Sequence, residues 1–119
     1  SRVFEFYAYD VLYPNPYNLV IFPDNHDMSR IYTQLEENFD LWKMAVVFYA
    51  TTRGIPQIYY GTEILLSNPG TESHGIIRKE MPGGWNDHTK SVFNSSNLSE
   101  KEKNARTFVQ NFLKKEFSG

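Results

Sequence analysis

The chain has no cysteine and little net charge, and these two absences exclude several classes of protein. Without cysteine there are no disulfides and no thiolate-held metal sites, although the redox compartment stays open. A net charge of −2 and a pI near 5.9 provide no basic field for nucleic acid or for an anionic membrane. We therefore expect neither of them as a partner.

Long apolar runs and glycine-rich phosphate loops are also missing. No apolar run approaches the roughly 20 residues of a spanning helix, and residues 1–6 show no signal-peptide segment. A doubly wound domain with a nucleotide site is disfavoured because no glycine-rich loop follows either predicted strand. The chain begins at Ser1 instead of Met, which indicates an excised piece or an engineered start.

The hydrophobic pattern predicts an α/β chain in the order helix, strand, helix, strand, long loop, helix. Apolar residues three to four apart in residues 3–12 predict a first helix, which Pro14 ends. The continuous apolar run 19–22 predicts a strand buried on both faces of a parallel sheet, and residues 55–60 predict a second strand. Two strands do not complete such a layer.

Two further helices and one long loop follow from the same pattern. Apolar residues are dense from Phe39 to Tyr49 and Gly54 supplies a stop, so this helix is predicted to be mostly buried. Residues 62–98 have no period and form the long loop. Residues 99–102 have capping-box spacing and open a closing amphipathic helix. Its apolar stripe is Ala105, Phe108, Val109, Phe112 and Leu113.

The first candidate site is the polar segment after the first strand, Asp24, Asn25, His26 and Asp27. Ligands and catalytic groups collect at the carboxyl ends of parallel strands, so the position favours a function. A structural alternative is that Asp27 or Ser29 caps the following helix while His26 packs locally. A metal site at His26 is less favoured, because no second histidine at helical spacing and no cysteine supports it.

Three segments carry a family resemblance. Residues 22–27, Phe-Pro-Asp-Asn-His-Asp, resemble the seventh-strand signature of the α-amylase superfamily (glycoside hydrolase family 13). Residues 54–63 are similar to the eighth-strand segment of that family, and residues 77–85 resemble a segment of its neopullulanase and cyclomaltodextrinase branch. Pro23 and Glu80 depart from the usual pattern, which affects the expected substrate preference more than the reaction class.

The resemblance implies that residues 1–119 are the carboxyl-terminal quarter of a (β/α)₈ TIM barrel. They would be its seventh and eighth strand–helix units, preceded by a helix. The implied reaction is retaining hydrolysis of α-glucosidic bonds in starch-like glucans. Asp27 would be the carboxylate that stabilises the transition state, and His26 would contact sugar hydroxyls. No segment matches the nucleophile or the acid, so we expect the chain alone to be inactive.

Four other residues are implied at or near the sugar. Asp24 and Asn25 would support the turn. Glu63, just beyond the second strand, would orient its neighbours or form part of the site wall. Trp85 follows two glycines and either projects its ring towards sugar or pins the loop to the core.

Two residue pairs receive no binding role. Tyr59 and Tyr60 are expected to be structural rather than sugar-stacking. Arg78 and Glu80 are candidates for an ion pair within the loop, which carries no functional assignment.

The expected partner is an α-glucan or a maltooligosaccharide. No cofactor is expected in this chain, and a calcium ion in the complete barrel would depend on residues elsewhere. The compartment is open, with a periplasmic or secreted parent as one option. A stand-alone, non-catalytic fragment that binds carbohydrate or self-associates is the alternative, because a two-strand piece leaves apolar sheet edges without partners.

Overall fold

The computed structural model describes residue 5 and residues 9–117, and most of its regular elements are short. In chain order they are a 3-10 helix at Tyr9–Leu12, another at Pro16–Asn18, β1 (Val20–Ile21), α1 (Ile31–Gln34), α2 (Phe39–Thr51), β2 (Ile55–Pro56), a 3-10 helix at Thr62–Ile64, α3 (His74–Ile77), a 3-10 helix at Ser95–Asn97, and α4 (Glu100–Phe117).

The two strands form a parallel pair, as the sequence predicted. Val20 lies opposite Ile55 and Ile21 lies opposite Pro56. The amide of Gln57 donates to the carbonyl of Ile21 at 2.8 Å. Because α1 and α2 lie between the strands and α2 packs against β2, the described part is a small α/β unit with a two-stranded parallel sheet.

Both strands are shorter than predicted, and the prediction that the first is buried on both faces is wrong. Ile21 is buried, but Val20 is 52% exposed. Each strand has one hydrogen-bonded neighbour within residues 9–117, and the bonds that flank the paired residues run from the amide of Ile55 to the carbonyl of Leu19 and from the amide of Gln57 to the carbonyl of Ile21. The continuous apolar run 19–22 therefore includes side-chain surface that the described elements leave exposed.

The start of α2 was predicted correctly, and its sequence shows why it begins there. The side chain of Asn38 accepts hydrogen bonds from the amides of Asp40 at 3.0 Å and Leu41 at 3.1 Å, which satisfies two free donors of the first turn. The helix ends at Thr51, and Gly54 follows with a φ of +119°.

The prediction that α2 is mostly buried is wrong. Trp42 and Val46 are its buried residues, and they face the core. Four large apolar side chains of the helix remain exposed to water: Leu41, Met44, Val47 and Phe48. We call this set the outer face of α2.

The main core lies between α2 and α4, centred on Trp42, which has no exposed surface. Its ring stacks on Phe39 with centroids 5.5 Å apart and meets Phe108 of α4 at 6.0 Å. The buried members are Ile31, Tyr32, Trp42, Val46, Leu65, Ala105 and Val109. The apolar stripe predicted for α4 therefore packs against α2.

The capping box that opens α4 is confirmed. The amide of Glu102 donates to Ser99 Oγ at 3.2 Å, and the amide of Ser99 donates to Glu102 Oε2 at 3.0 Å. Two donors that the helix cannot satisfy itself are thus paired reciprocally.

The segment 62–98 holds short helices and a small core of its own, made of Ile64, Leu66, Val92 and Leu98 with Met81 against it. Half of the helix predicted over residues 3–12 lies outside the described residues; of the rest, Glu5 is helical and Tyr9–Leu12 form a 3-10 helix. Within residues 9–117, no helix is both long enough and apolar enough for a membrane span.

Candidate functional site

The turn after β1 is built by two side chains that bind backbone amides. Asp24, 1% exposed, accepts a hydrogen bond from the amide of Ile31 at 2.8 Å, which is a free donor at the start of α1. Asn25 Oδ1 accepts from the amide of Asp27 at 2.8 Å. Asp24, not Asp27 or Ser29, therefore supplies the helix cap, and the structural alternative for Asp27 is wrong.

Asp27 is the centre of a cluster of polar side chains at the carboxyl end of β1. Its Oδ2 lies 3.1 Å from His26 Nε2, and its Oδ1 lies 2.7 Å from Arg78 Nη2 and 3.7 Å from His74 Nδ1. The side chain of Asp27 is 56% exposed and that of His26 is 61% exposed. The carboxylate is thus oriented by cationic and imidazole neighbours while it remains open to a ligand.

Arg78 contacts the turn at a second point. Its Nε–H donates to the carbonyl of His26 at 2.9 Å, so one guanidinium binds both the backbone and the carboxylate of the turn. The same Nη2 lies 2.9 Å from His74 Nδ1. Since an arginine nitrogen can only donate, His74 Nδ1 is the acceptor in this contact.

Arg30 follows the turn after β1 and connects it to the long loop through buried hydrogen bonds. It has no exposed surface, and its Nε–H donates to the carbonyl of Ile77 at 2.9 Å while its Nη1 donates to the carbonyl of Tyr60. Its amide donates to Asn68 Oδ1 at 2.8 Å. The guanidinium lies 4.2 Å from the ring centroid of Tyr59, within cation–π range.

The Tyr60 hydroxyl holds the backbone next to Arg78. It lies 2.9 Å from the carbonyls of both Arg78 and Lys79. Tyr59 and Tyr60 therefore contact Arg30 and the loop, in agreement with their expected structural part.

Asp24 is held in an unfavourable electrostatic environment. Burial raises the pKa of its carboxyl, and this effect exceeds the opposing effects of the hydrogen bond from Ile31 and the charge of Arg30. Its Oδ1 has no hydrogen-bond partner among the described residues.

The two other predicted residues take no part in the Asp27 contacts. Glu63 is half-buried in the first turn of the 3-10 helix Thr62–Ile64. Trp85 is 64% exposed, so of the two alternatives for its ring the one in which it pins the loop to the core does not hold. Glu80 lies 3.2 Å from His88 Nε2, so the candidate pair of Arg78 with Glu80 is also wrong.

Sequence reasoning missed Arg78 and His74 as members of the cluster. The signal that was present is their spacing of four residues, which places both on one face of α3 and its cap. Within residue 5 and residues 9–117, no group of three or more histidines, aspartates and glutamates is arranged to hold a metal ion.

Comparison with known proteins identifies the family. A model described as the alpha amylase catalytic domain matches residues 9–116. The cyclomaltodextrin glucanotransferase of Niallia circulans is 44% identical over 63 residues, covering 53% of this chain and 8% of that protein. The same-named protein of Klebsiella oxytoca is 34% identical over 90 residues (54% and 14%), and that of Thermoanaerobacterium thermosulfurigenes is 42% identical over 79 residues (55% and 11%).

The chain belongs to the α-amylase catalytic-domain family, which confirms the superfamily resemblance. The matched relatives carry the glucanotransferase name, so they do not single out the neopullulanase branch. The match spans between 8% and 14% of the length of the three relatives named above.

Proposed function

We propose that this chain supplies the seventh and eighth strand–helix units of a (β/α)₈ barrel that acts on α-glucosidic bonds of starch-like glucans. The single observation that carries the proposal is the placement of Asp27: an oriented, half-exposed carboxylate at the carboxyl end of a parallel strand. In barrels of this class the chemistry takes place at that end of the strands. The family match over residues 9–116 supports it.

In this proposal Asp27 stabilises positive charge on the sugar. In the retaining reaction a carboxylate attacks the anomeric carbon as the glycosidic bond breaks, and the leaving oxygen takes the proton of a carboxylic acid. Both groups would lie outside this chain. An ionised carboxylate has about four lone-pair sites, so Asp27 can accept sugar hydroxyls while it keeps its contacts with His26 and Arg78.

The remaining predicted residues are proposed as support and binding groups. His26 would donate to the hydroxyls of the same sugar, while Asp24 and Asn25 hold the turn. The exposed ring of Trp85 would offer an apolar face to a pyranose, and Glu63 would belong to the site wall. Any calcium site of the complete barrel would use ligands outside residues 9–117.

Hydrolysis and glycosyl transfer share the covalent intermediate and differ in the group that resolves it. In hydrolysis, of the neopullulanase or α-amylase type, water attacks the intermediate. In transfer a sugar hydroxyl attacks it, and the relatives named glucanotransferase make transfer the second candidate. Chromatography of the products that the complete barrel forms from soluble starch distinguishes the two reactions. Linear reducing sugars indicate hydrolysis, and cyclic dextrins indicate transfer.

The chain by itself is proposed to be inactive, because no segment matches the nucleophile or the acid. The pure chain should release no reducing sugar from soluble starch, pullulan or cyclodextrin. Sustained release that Asp27→Ala abolishes would contradict this. Calorimetric titration with maltoheptaose tests the non-catalytic alternative, in which the chain binds carbohydrate weakly and Trp85→Ala weakens that binding.

A further inference from the structure

Arg78 is anchored more firmly than a surface arginine usually is. Its guanidinium donates to the carbonyl of His26 at 2.9 Å and to Asp27 Oδ1 at 2.7 Å, and its second Nη2 proton meets His74 at 2.9 Å. The planar fork therefore fixes the carboxylate relative to the backbone of the same turn. Lysine, with one ammonium group on a flexible stem, cannot reproduce this geometry.

The backbone of Arg78 is held as closely as its side chain. Its amide donates to the carbonyl of His74 at 2.9 Å, and its carbonyl lies 2.9 Å from the Tyr60 hydroxyl. The preceding carbonyl, of Ile77, accepts from the fully buried Arg30. The fork is thus built on a buried frame that also contains the start of α1.

The contact between Arg78 and Asp27 adds little to the stability of the fold. The side chains are 47% and 56% exposed, and ion pairs at such exposure contribute little to stability. The three contacts of the Arg78 side chain and the buried contacts of its backbone are therefore not explained by the stability of the ion pair. Their consequence is orientation: rotation of the Asp27 carboxylate is restricted because each oxygen has a partner, His26 on one and Arg78 on the other.

We propose that Arg78 is a positioning residue that presents the Asp27 carboxylate to the sugar. This inference rests on the proposed function of Asp27. Arg78 acts through Asp27 and the turn, so its effect is realised where the orientation of the carboxylate matters most, in the transition state.

The kinetic test uses the complete barrel that carries this chain, with maltoheptaose as substrate. Arg78→Ala and Arg78→Lys should each lower kcat about 10- to 100-fold while KM changes by less than about threefold. Added guanidinium chloride should restore part of the turnover of Arg78→Ala and none of that of Arg78→Lys, in which the lysine occupies the space. Arg106→Ala is the matched control: this arginine also makes two side-chain hydrogen bonds, to Val92 and Ser95, and its loss should leave kcat unchanged.

A double-mutant cycle separates positioning from direct sugar binding. In an Asp27→Asn background, Arg78→Ala should cause no further loss of kcat, because the group through which it acts has been removed. Fully additive losses, or a raised KM with normal kcat, would overturn the inference and make Arg78 an independent sugar contact. Normal turnover in Asp27→Asn itself would overturn the proposed function, and the positioning role with it.

A spectroscopic measurement on the chain itself completes the test without turnover. The Nε–H of Arg78 should give a slowly exchanging arginine side-chain resonance in NMR, because it is bonded to His26. Asp27→Asn should shift that resonance and leave the corresponding Arg106 resonance in place. An Arg78 resonance that exchanges as fast as that of a free arginine would overturn the anchored geometry.

Discussion

Arg30 and Ile77 are 47 residues apart in sequence, and the Nε–H of Arg30 donates to the Ile77 carbonyl at 2.9 Å with no solvent access to the arginine. This bond attaches α3, and with it Arg78, to the turn that carries Asp27. The long loop is therefore not independent of the strand ends. This buried guanidinium helps to hold the loop against the strand ends, together with the contacts that Asn68, Tyr60 and Arg78 make.

Arg30→Met should lower the free energy of unfolding by about 2–4 kcal/mol, because it leaves the carbonyls of Ile77 and Tyr60 without their buried donor. Urea unfolding followed by circular dichroism measures the change. Arg106→Met removes a half-exposed arginine with two hydrogen bonds and should cost less than about 1 kcal/mol. Equal losses in the two variants would show that burial of Arg30 is unimportant.

The raised pKa of Asp24 gives a pH dependence with a definite sign. A carboxyl whose pKa is higher in the folded state binds protons more tightly there, so its contribution to stability falls as pH rises from the unfolded value of 3.8 through the raised one. Asp24→Asn keeps an oxygen for the amide of Ile31 and removes this titration. The stability of Asp24→Asn relative to the wild type should therefore increase with pH and then level off.

Urea midpoints of both proteins from pH 3 to pH 8 measure this difference. If the stability of Asp24→Asn relative to the wild type instead falls as pH rises, the charge of Arg30 and the bond from Ile31 outweigh desolvation at Asp24.

Two glycines with positive φ make a matched pair for packing around the long loop. Gly61, at φ +83°, would bring an added Cβ to 2.1 Å from Leu66 Cδ1, whereas Gly70, at φ +71°, has no atom within 4 Å of that position. Gly70→Ala should cost about 1 kcal/mol from backbone conformation alone. Gly61→Ala should cost about 1–3 kcal/mol more from the clash. Equal costs in thermal unfolding would contradict the packing of Leu66 against Gly61.

The elements that the sequence predicts correctly depend on neighbours along the chain. The cap of α2 at Asn38 and the capping box from Ser99 to Glu102 act over three residues, so short-range chemistry determines them. The turn after β1 follows in the same way from its local position at a strand end, and the roles of its residues remain predictions.

What could not be predicted depends on partners distant in sequence. The pair of Arg78 with Asp27 joins residues 51 apart, and no local pattern distinguishes it from a pair with Glu80. The prediction that α2 is mostly buried was wrong for the same reason. Apolar spacing shows which face of a helix favours burial, but whether that face is buried depends on surfaces outside the helix.

The outer face of α2 leads to a prediction of association. Met44 is 68% exposed and Phe48 is 43% exposed, and β1 adds Val20 at 52%. Exposed apolar surface of this kind favours contact with a second copy. Light scattering coupled to size-exclusion chromatography should show a mass that rises with concentration, and Met44→Glu should reduce it.

Phe93→Glu is the control for that experiment, because Phe93 is 67% exposed in the long loop, outside α2 and the sheet. It should leave association unchanged. A compact monomer at every concentration would contradict the predicted association and show that the chain is stable without a second copy.

We propose that Asp27 serves catalysis in an α-glucan-active barrel. The direct measurement is the turnover of soluble starch by the complete barrel carrying Asp27→Asn, with the exposed loop variant Asp87→Asn as control. Loss of a preorganised charge beside a developing cation typically costs about 3 kcal/mol or more, so Asp27→Asn should lower kcat by at least about 100-fold with unchanged thermal stability. Asp87→Asn should turn over starch normally, and turnover within about threefold of wild type in Asp27→Asn would contradict a catalytic role for Asp27.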